Sequence, residues 1–305
     1  MTSSVPDLSG SVAAVTGGAR GIGRATADAF VREGARVAIG DVDVALAQRT
    51  AEELGPNVVA FELDVTDRAS FTSFLDRASR ELGPVDVLVN NAGIMALGGF
   101  LEESDESAAR QIDINLHGVM LGMKVALPGM KTRGRGHVVN IASTAGKAGF
   151  AGGATYCATK HAVIGVSEAV MAELRGTGVG VSVVMPAIVN TELASGLSSA
   201  RGVKTQQPED VAAAVIAAVR AGTFDVFVPR SVGPISKLLA VLPRPAREAV
   251  TRALGADQVL MQADAAQRAS YEARAARSAD ALPAGDPAPG ATPASAPREP
   301  VETSR

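Results

Sequence analysis

The sequence predicts a single doubly wound α/β domain, with a seven-stranded, mostly parallel sheet and helices on both of its faces. Between residues 12 and 228, seven short runs rich in β-branched residues alternate with alanine-rich helical stretches. The runs are continuously apolar, which is typical of strands buried on both faces of a sheet. The 305 residues, 47% of them apolar, are enough to form a core of that size.

Each predicted strand is a run of four or five residues with at least two large apolar side chains. β-branched residues favour extended backbone because they pack well on a pleated, buried surface. In chain order, the predicted strands span residues 12–15, 36–39, 58–61, 85–89, 137–141, 181–184 and 225–228.

The predicted helices lie between these strands, and several open on a residue that favours a helix start. Asp67, Asp105 and Pro208 are such residues, since an acidic cap or a proline suits the first turn of a helix. In chain order, the predicted helices span residues 21–33, 42–54, 67–82, 105–131, 155–174 and 208–221.

The strands and helices define a core domain over residues 1–228. One segment inside this domain and two segments after it differ in composition from the rest. Residues 190–207 are rich in Ser, Gly and Thr without a periodic pattern, which predicts a substrate lid. Residues 229–281 predict a C-terminal extension with a helix that ends near Arg277. Residues 282–305 are rich in Pro, Ala and Gly with almost no large apolar side chains, which predicts a disordered tail.

Residues 230–252 of the extension mix basic and apolar side chains, a pattern that could lie on an anionic membrane surface. Pro234, Pro243 and Pro245 interrupt any long amphipathic helix there. Packing over the substrate pocket or against another subunit is therefore favoured over peripheral membrane association.

The composition excludes several functional classes. A net charge of −3, the absence of Trp and only two Tyr argue against nucleic-acid binding. Cys157 is the only cysteine, so no intramolecular disulfide forms, and a reducing, cytoplasmic compartment is expected. No segment has the apolar length of a membrane span. The three histidines lack metal-ligand spacing, so no metal site is expected.

A glycine-rich turn follows the first predicted strand and opens a helix, as in a Rossmann-type dinucleotide-binding domain. Gly17, Gly21 and Gly23 would let the backbone approach a pyrophosphate at the positive end of the helix, with Arg20 and Ile22 between them. The alternative is a tight strand-to-helix turn that binds no ligand.

Asp41 ends the second predicted strand, eighteen residues after Gly23. A carboxylate at this position would accept hydrogen bonds from the ribose hydroxyls of adenosine and repel a 2′-phosphate, which favours NAD over NADP. Arg20 is the opposing feature, because it could reach a 2′-phosphate.

Two more predicted strands end in residues suited to the ligand-binding edge. Asp64 and Val65 follow the third strand, and Asn91, Ala92 and Gly93 follow the fourth. In open α/β sheets, ligands bind outside the carboxyl ends of the strands. Simple capping of the strand ends is the alternative for the polar residues.

Tyr156 and Lys160 are four residues apart in a predicted helix, so they project from the same face. A nearby cation favours the phenolate, and we therefore expect Lys160 to lower the pKa of Tyr156. Tyr156 would then act as general base toward an alcohol or as general acid toward a ketone. Ser143 would donate a hydrogen bond to the same substrate oxygen.

These motifs, together with Asn115 and Pro186, occur in the order found in the short-chain dehydrogenase/reductase family, which residues 8–228 closely resemble. The resemblance implies a catalytic tetrad of Asn115, Ser143, Tyr156 and Lys160, in which Asn115 holds a helix distortion and a water linked to Lys160. It also implies that Pro186, Val189 and Thr191 contact the cofactor, and that Ile94 lines the nicotinamide side of the pocket.

The chain departs from the family pattern at Ala187, where a glycine usually follows the proline. We expect a small shift of the loop at residues 188–191 without loss of cofactor binding.

The expected partner is a small alcohol or ketone, and apolar residues such as Met95, Phe150 and Leu193 suggest a hydrophobic one. The resemblance implies a homodimer or homotetramer formed through the helices at 105–131 and 155–174. A catalytically silent dinucleotide-binding regulator is the alternative function, although it would have no need for Ser143, Tyr156 and Lys160 together.

Overall fold

The computed structural model describes residues 7–197, 204–253, 255 and 259–277. Its seven strands form one sheet in the order β3-β2-β1-β4-β5-β6-β7, and every neighbouring pair is parallel. The predicted doubly wound fold is therefore confirmed, with a sheet that is wholly parallel. The strands are β1 (Val12–Thr16), β2 (Arg36–Asp41), β3 (Val58–Glu62), β4 (Val87–Asn90), β5 (Gly136–Ile141), β6 (Val179–Pro186) and β7 (Asp225–Val228).

The described residues also contain ten α-helices, most of which lie between successive strands. They are α1 (Gly21–Arg32), α2 (Val44–Leu54), α3 (Arg68–Leu82), α4 (Asp105–Ile112), α5 (Gly118–Arg133), α6 (Ala154–Glu173), α7 (Pro208–Ala221), α8 (Val232–Val241), α9 (Arg244–Ala253) and α10 (Ala265–Arg277).

The two faces of the sheet carry separate apolar cores. Val12 and Ala14 of β1 face the core that contains Phe71 of α3. Ala13 and Val15 face the opposite core, which contains residues of α1, α2 and α7. Both alternating sets of side chains are buried, and this explains why the strands read as continuous apolar runs.

The helix predicted over residues 105–131 is not continuous. A π-helical turn at Asp113–His117 separates α4 from α5 and carries the fully buried Asn115. Such turns interrupt the regular ladder and often occur at functional sites. The helix distortion that the resemblance implied at Asn115 is therefore present.

The described residues of the extension form the short helices α8, α9 and α10, and Pro243 and Pro245 lie at the junction of α8 and α9. Helix α8 contributes Leu239 to the cavity described below and leaves Leu238 exposed. In the part of the chain that is described, no helix is both long and apolar enough to cross a membrane. Residues 198–203 of the predicted lid and the predicted tail at 282–305 lie outside the described residues.

Candidate active site

A cavity of about 920 Å³ lies at the carboxyl edge of the sheet, where the loops after β1 to β6 converge. This volume lies in the range of small-molecule and cofactor sites. Most of the residues predicted from the sequence line it: Gly17, Arg20, Gly21, Ile22, Asp41, Asp64, Val65, Asn91, Ala92, Gly93, Ser143, Tyr156, Lys160, Pro186, Val189 and Thr191. Gly23 and Asn115 do not line it; they lie behind the cavity wall.

The glycine turn leaves the N-terminus of α1 open toward the cavity. Arg20 precedes α1 without capping it, and the first turn contains no acidic residue. The first N–H groups of α1 therefore remain available at the positive end of the helix dipole. These features fit an anionic pyrophosphate.

The glycines are needed because the backbone segments approach one another closely. A Cβ atom on Gly23 would lie 2.1 Å from the Gly17 carbonyl oxygen. Gly17 has a φ of +63°, and a Cβ there would lie 2.9 Å from Cα of Ala92. No larger residue fits either position without moving the turn.

Asp41 lies at the end of β2, with its carboxylate fixed by two backbone N–H donors. One carboxylate oxygen accepts from Ala19 at 3.2 Å and the other from Asp43 at 3.1 Å. Burial raises the pKa of Asp41, while these hydrogen bonds act in the opposite direction.

Arg20 is bound by two carboxylates, which the sequence did not reveal. Its guanidinium lies 2.7 Å from Asp43 and 3.3 Å from Glu192. Asp43 lies two residues after Asp41, whereas Glu192 belongs to the segment predicted as a lid, 172 positions after Arg20. Glu192 also pairs with Arg274 of α10 at 2.8 Å.

The loop after β4 is joined to the glycine turn by hydrogen bonds. The Asn91 side chain donates to the carbonyls of Thr16 at 2.9 Å and Gly17 at 3.1 Å. The Thr16 hydroxyl accepts from the backbone of Asn91 and Ala92, both at 3.0 Å. Asn91 thus holds the shape of the cofactor side of the cavity.

Two residues after β3 have local roles in the same edge. The Asp64 carboxylate accepts from both the backbone and the hydroxyl of Thr66, each at 2.8 Å, which is a capping role. Val65 packs closely against Gly118, where an added Cβ would lie 2.9 Å from the valine side chain.

Asn115 connects the π-helical turn to the loop after β4 and to α6. Its oxygen accepts from the Ile94 N–H at 2.8 Å, and its amide donates to the Ile94 carbonyl at 2.8 Å and to Thr159 at 3.2 Å. Asn115 therefore fixes the segment next to Gly93 against the helix that carries Lys160.

Tyr156, Lys160 and Ser143 meet at the centre of the cavity. The Ser143 hydroxyl faces the same cavity as Tyr156 and accepts a hydrogen bond from the Ala145 N–H at 3.1 Å. Lys160 Nζ lies 5.7 Å from the centroid of the Tyr156 ring and donates to the Ile141 carbonyl at 2.9 Å. A residue from the loop after β5 and two residues from successive turns of α6 thus line a common space.

The pKa of Tyr156 runs against the expectation from the sequence. Burial raises it above the ordinary value, and the neighbouring Ser143 hydroxyl offsets this in part. Burial also lowers the pKa of Lys160 to about 8. Desolvation disfavours the charged forms of both side chains.

The other half of the cavity is apolar, and part of its lining was missed from the sequence. Met95, Ala145, Tyr156 and Cys157 pack with Val259 and Leu260 of the extension, flanked by Leu97, Phe150, Ile188, Leu193 and Leu197. Tyr271 of α10 also lines the cavity. The available signal was an apolar Val-Leu-Met run and a single tyrosine in an alanine- and arginine-rich segment.

Cys157, next to Tyr156 in α6, packs in the apolar part of the cavity wall. Its sulfur is buried and accepts a hydrogen bond from the Phe150 N–H at 3.4 Å. Among the described residues, no three His, Cys, Asp or Glu side chains gather as ligands for a metal ion.

Comparison with known proteins finds similarity over most of the chain. A family model described as short chain dehydrogenase matches residues 11–202. The sorbitol dehydrogenase of Cereibacter sphaeroides is 43% identical over 197 residues, covering 63% of this chain and 75% of that protein. The 3-alpha-(or 20-beta)-hydroxysteroid dehydrogenase of Mycobacterium tuberculosis is 39% identical over 186 residues, covering 61% and 72% respectively.

A solved structure is also similar. The crystal structure of a short-chain dehydrogenase/reductase from Burkholderia phymatum in complex with NAD has a TM-score of 0.71 and 29% identity, and the match covers 77% of this chain and 94% of that one. The family match ends before α8, α9 and α10.

Proposed function

The chain belongs to the short-chain dehydrogenase/reductase family, and from that premise we propose that it exchanges hydride between NAD and the CH–OH or C=O carbon of an apolar alcohol or ketone. The family and its dehydrogenase relatives support a nicotinamide-dependent oxidoreductase that acts on alcohols. The proposed preference for NAD and for an apolar substrate depends on this chain's own residues.

One observation carries the proposal. Ser143, Tyr156 and Lys160 converge in the same cavity that the glycine turn opens onto. A hydroxyl pair can hold a substrate oxygen, and the open N-terminus of α1 suits a dinucleotide. A catalytically silent dinucleotide-binding regulator would not need these three side chains beside the cofactor cavity, so that alternative function is not favoured.

The reaction needs a proton acceptor beside the carbon that loses hydride. When bound, the nicotinamide accepts or supplies the hydride. Tyr156 takes the hydroxyl proton of an alcohol, or returns it to a ketone, while Ser143 donates a hydrogen bond to the same oxygen. Lys160 remains mostly protonated at neutral pH, since its pKa is about 8, and it stabilises the tyrosinate as that charge forms.

The proposed preference for NAD is supported by the charges around the adenosine side. Asp41 and Asp43 both line the cavity near the glycine turn, and we expect a 2′-phosphate of NADP to approach these two carboxylates. Arg20 already pairs with Asp43 and Glu192, so its positive charge is largely offset. A 2′-phosphate would meet net negative charge.

An apolar substrate is supported by the lining around Tyr156. Met95, Phe150, Leu193 and Leu260 contribute apolar side chains to the cavity lining near Tyr156. The hydroxysteroid dehydrogenase relative is consistent with such a substrate, whereas the sorbitol dehydrogenase relative makes a polyol the second candidate.

The proposed homo-oligomer depends on the surfaces of α5 and α6. Leu121, Val125, Val166 and Val170 of these helices are only partly buried in the monomer. We expect a dimer or tetramer by size-exclusion chromatography with light scattering. A monomer at micromolar concentration would contradict this.

The first experiment follows reduced nicotinamide by its absorbance, with NAD and NADP each tested against apolar secondary alcohols and against sorbitol. We expect turnover of the apolar alcohols with NAD and a loss of at least 100-fold in Tyr156→Phe. Turnover restricted to sorbitol would overturn the substrate class. Cofactor binding without turnover of either class would favour the regulator.

A further inference from the structure

We propose that α10 forms the outer wall of the substrate cavity, and that Tyr271 on this helix contacts the substrate and limits its size. This inference rests on the proposed function, because Tyr156 and Ser143 define the substrate half of the cavity. It concerns a segment beyond the part of the chain that matches the family.

The segment that leads into α10 packs against the loop before Tyr156. Leu260 contacts this region so closely that a Cβ on Gly153 would lie 2.6 Å from its Cδ1 atom. A Cβ on Gly152, which has a φ of +84°, would lie 2.9 Å from the backbone nitrogen of Met261. The core surface is therefore shaped to receive the extension.

The predicted lid is joined to the start of α10 by its backbone. The Asp264 N–H donates to the Gly196 carbonyl at 3.0 Å, and a Cβ on Gly196 would lie 2.7 Å from the Asp264 carbonyl oxygen. The lid and the extension thus approach at backbone distance on the open side of the cavity.

Arg268 fixes α10 in place. Only 1% of its surface is exposed, and its guanidinium donates to the carbonyls of Leu193 at 3.0 Å, Ser195 at 3.2 Å and Met95 at 2.7 Å. It also pairs with Glu272 at 3.0 Å. A buried guanidinium is tolerated only when its donors are satisfied in this way. Arg268 is a positioning residue that joins α10 to both the lid and the loop after β4.

Tyr271 lies three residues after Arg268, on the same side of α10. Its hydroxyl accepts from the Met95 N–H at 2.9 Å, and its ring lies beneath the Arg268 guanidinium, 5.2 Å from ring centroid to Cζ. The side chain is 9% exposed and lines the cavity. Because its hydroxyl and its ring face are both in contact with neighbouring groups, the aromatic ring forms a fixed boundary for the substrate.

The far end of α10 closes the same side. Arg110 of α4 donates to the Ala275 carbonyl at 3.4 Å, and Arg274 pairs with Glu192 of the lid. The wall is therefore attached at several points along α10, and Tyr271 lies between them.

The test uses substitutions of opposite size at Tyr271. NADH-dependent reduction is measured for cyclohexanone, 4-tert-butylcyclohexanone, trans-2-decalone and 5α-androstan-3-one. Relative to the wild type, Tyr271→Ala should raise the kcat/KM ratio of the largest ketone to the smallest by tenfold or more. Tyr271→Trp should lower that ratio by a similar factor. Ser270→Ala, on the exposed neighbouring position, should leave it within twofold.

A general loss of structure in the variants would not change the size preference in opposite directions for Tyr271→Ala and Tyr271→Trp. If both Tyr271 variants reduced kcat/KM for all four ketones by a common factor, the wall assignment would be overturned. A change in kcat/KM that depends on ketone size indicates that Tyr271 contacts the substrate, whereas an equal loss for all four ketones indicates only structural support.

A measurement without turnover separates this inference from the proposed function. Calorimetry gives the Kd of each ketone for NADH-saturated Tyr156→Phe, with and without Tyr271→Ala or Tyr271→Trp. A size-dependent shift in Kd would support the wall even if the wild type reduced no ketone, in which case the proposed function alone would fail. Equal size preference in all three proteins, or no binding by any ketone, would overturn the wall.

Discussion

At the scale of single residues, burial controls the charge of the reacting side chains. Tyr156 and Lys160 are both buried, so desolvation raises the pKa of the phenol and lowers that of the amine. Each group is thereby held nearer its neutral form than it would be in water. The tyrosine needs an additional favourable charge before it can act as a base.

The two tyrosines offer a direct test. Burial raises the pKa of both Tyr156 and Tyr271, and the chain has no tryptophan to obscure their absorbance. We expect little tyrosinate absorbance at pH 10 in the free protein, where free tyrosine is about half ionised. Saturating NAD should move one ionisation to lower pH, because the oxidised nicotinamide ring is positively charged.

Tyr156→Phe provides the control for that titration, since the shift with NAD should disappear while the ionisation of Tyr271 remains. Circular dichroism at each pH would verify that the fold is retained. Ionisation of both tyrosines near pH 10 in folded, free protein would contradict the effect of burial.

Cofactor selectivity also belongs to individual side chains. Asp41→Asn combined with Asp43→Asn removes both carboxylates and releases Arg20 from one of its partners. We expect the ratio of NADP to NAD affinity to rise by tenfold or more, as a repulsion is replaced by an attraction. Binding can be followed by the fluorescence of the reduced cofactors.

Adding Arg20→Ala to that double variant should remove most of the gain, since the cation would be lost. Glu53→Gln serves as the matched control, because Glu53 of α2 forms an exposed ion pair with Arg24 of α1. An unchanged NADP to NAD ratio in the double variant would show that Asp41 and Asp43 do not select the cofactor.

At the scale of elements, short structural interruptions place the functional groups. The π-helical turn presents Asn115 to the backbone of Ile94, and the open start of α1 presents N–H groups to the cavity. Helix α10 carries a buried arginine, Arg268, that donates to three carbonyl groups outside the helix. The site is thus assembled from element ends more than from element interiors.

Arg268→Met tests this role of α10. Loss of the guanidinium leaves buried carbonyls without donors, at a cost of roughly 1–3 kcal/mol for each group that stays buried. We expect α10 to separate from the lid, with faster amide exchange over residues 265–277 and unchanged exchange in the sheet.

Gln267→Ala is the matched control, because Gln267 is exposed and bonds only locally to Asp264. Arg268→Lys retains the charge but not the fork of donors, so partial release is expected. Unchanged exchange over α10 in Arg268→Met would show that other contacts suffice to hold the helix.

At the scale of the whole molecule, a sheet buried on both faces leaves its polar side chains in an apolar core. His137 of β5 is fully buried, with one ring nitrogen 2.8 Å from the Ser182 hydroxyl. Burial lowers its pKa from 6.5 to about 4. The folded protein therefore holds this histidine neutral at a pH where the unfolded chain would protonate it.

This difference predicts acid sensitivity of the fold. Because the folded pKa lies below the unfolded one, stability from this group is complete above pH 6.5 and is lost as the pH falls toward 4. The loss should reach about 3 kcal/mol, at about 1.4 kcal/mol for each pH unit. Urea unfolding between pH 7 and pH 4 measures it.

His137→Gln can keep a hydrogen bond to Ser182 without titrating, so its stability should change less over the same interval. The two proteins share every other titrating group, and the difference between their pH profiles isolates His137. Parallel profiles would exclude His137 as the source of the acid sensitivity.

Residue patterns along the chain were sufficient to predict the fold class, the order of the strands along the chain and the carboxyl-edge location of the motifs. Glycines in the first turn, apolar runs of strand length and the four-residue spacing of Tyr156 and Lys160 are local features. Local features determine local conformation, and parallel strands then bring their carboxyl ends to one edge.

The side chains that contact those motifs could be identified only from the tertiary structure. The pairing of Arg20 with Glu192 joins residues 172 positions apart, and the contact of Tyr271 with Met95 joins residues 176 apart. The raised pKa of Tyr156 likewise comes from burial by distant segments. These contacts and this burial depend on which surfaces pack together after folding, and the spacing of residues along the chain does not predict that packing.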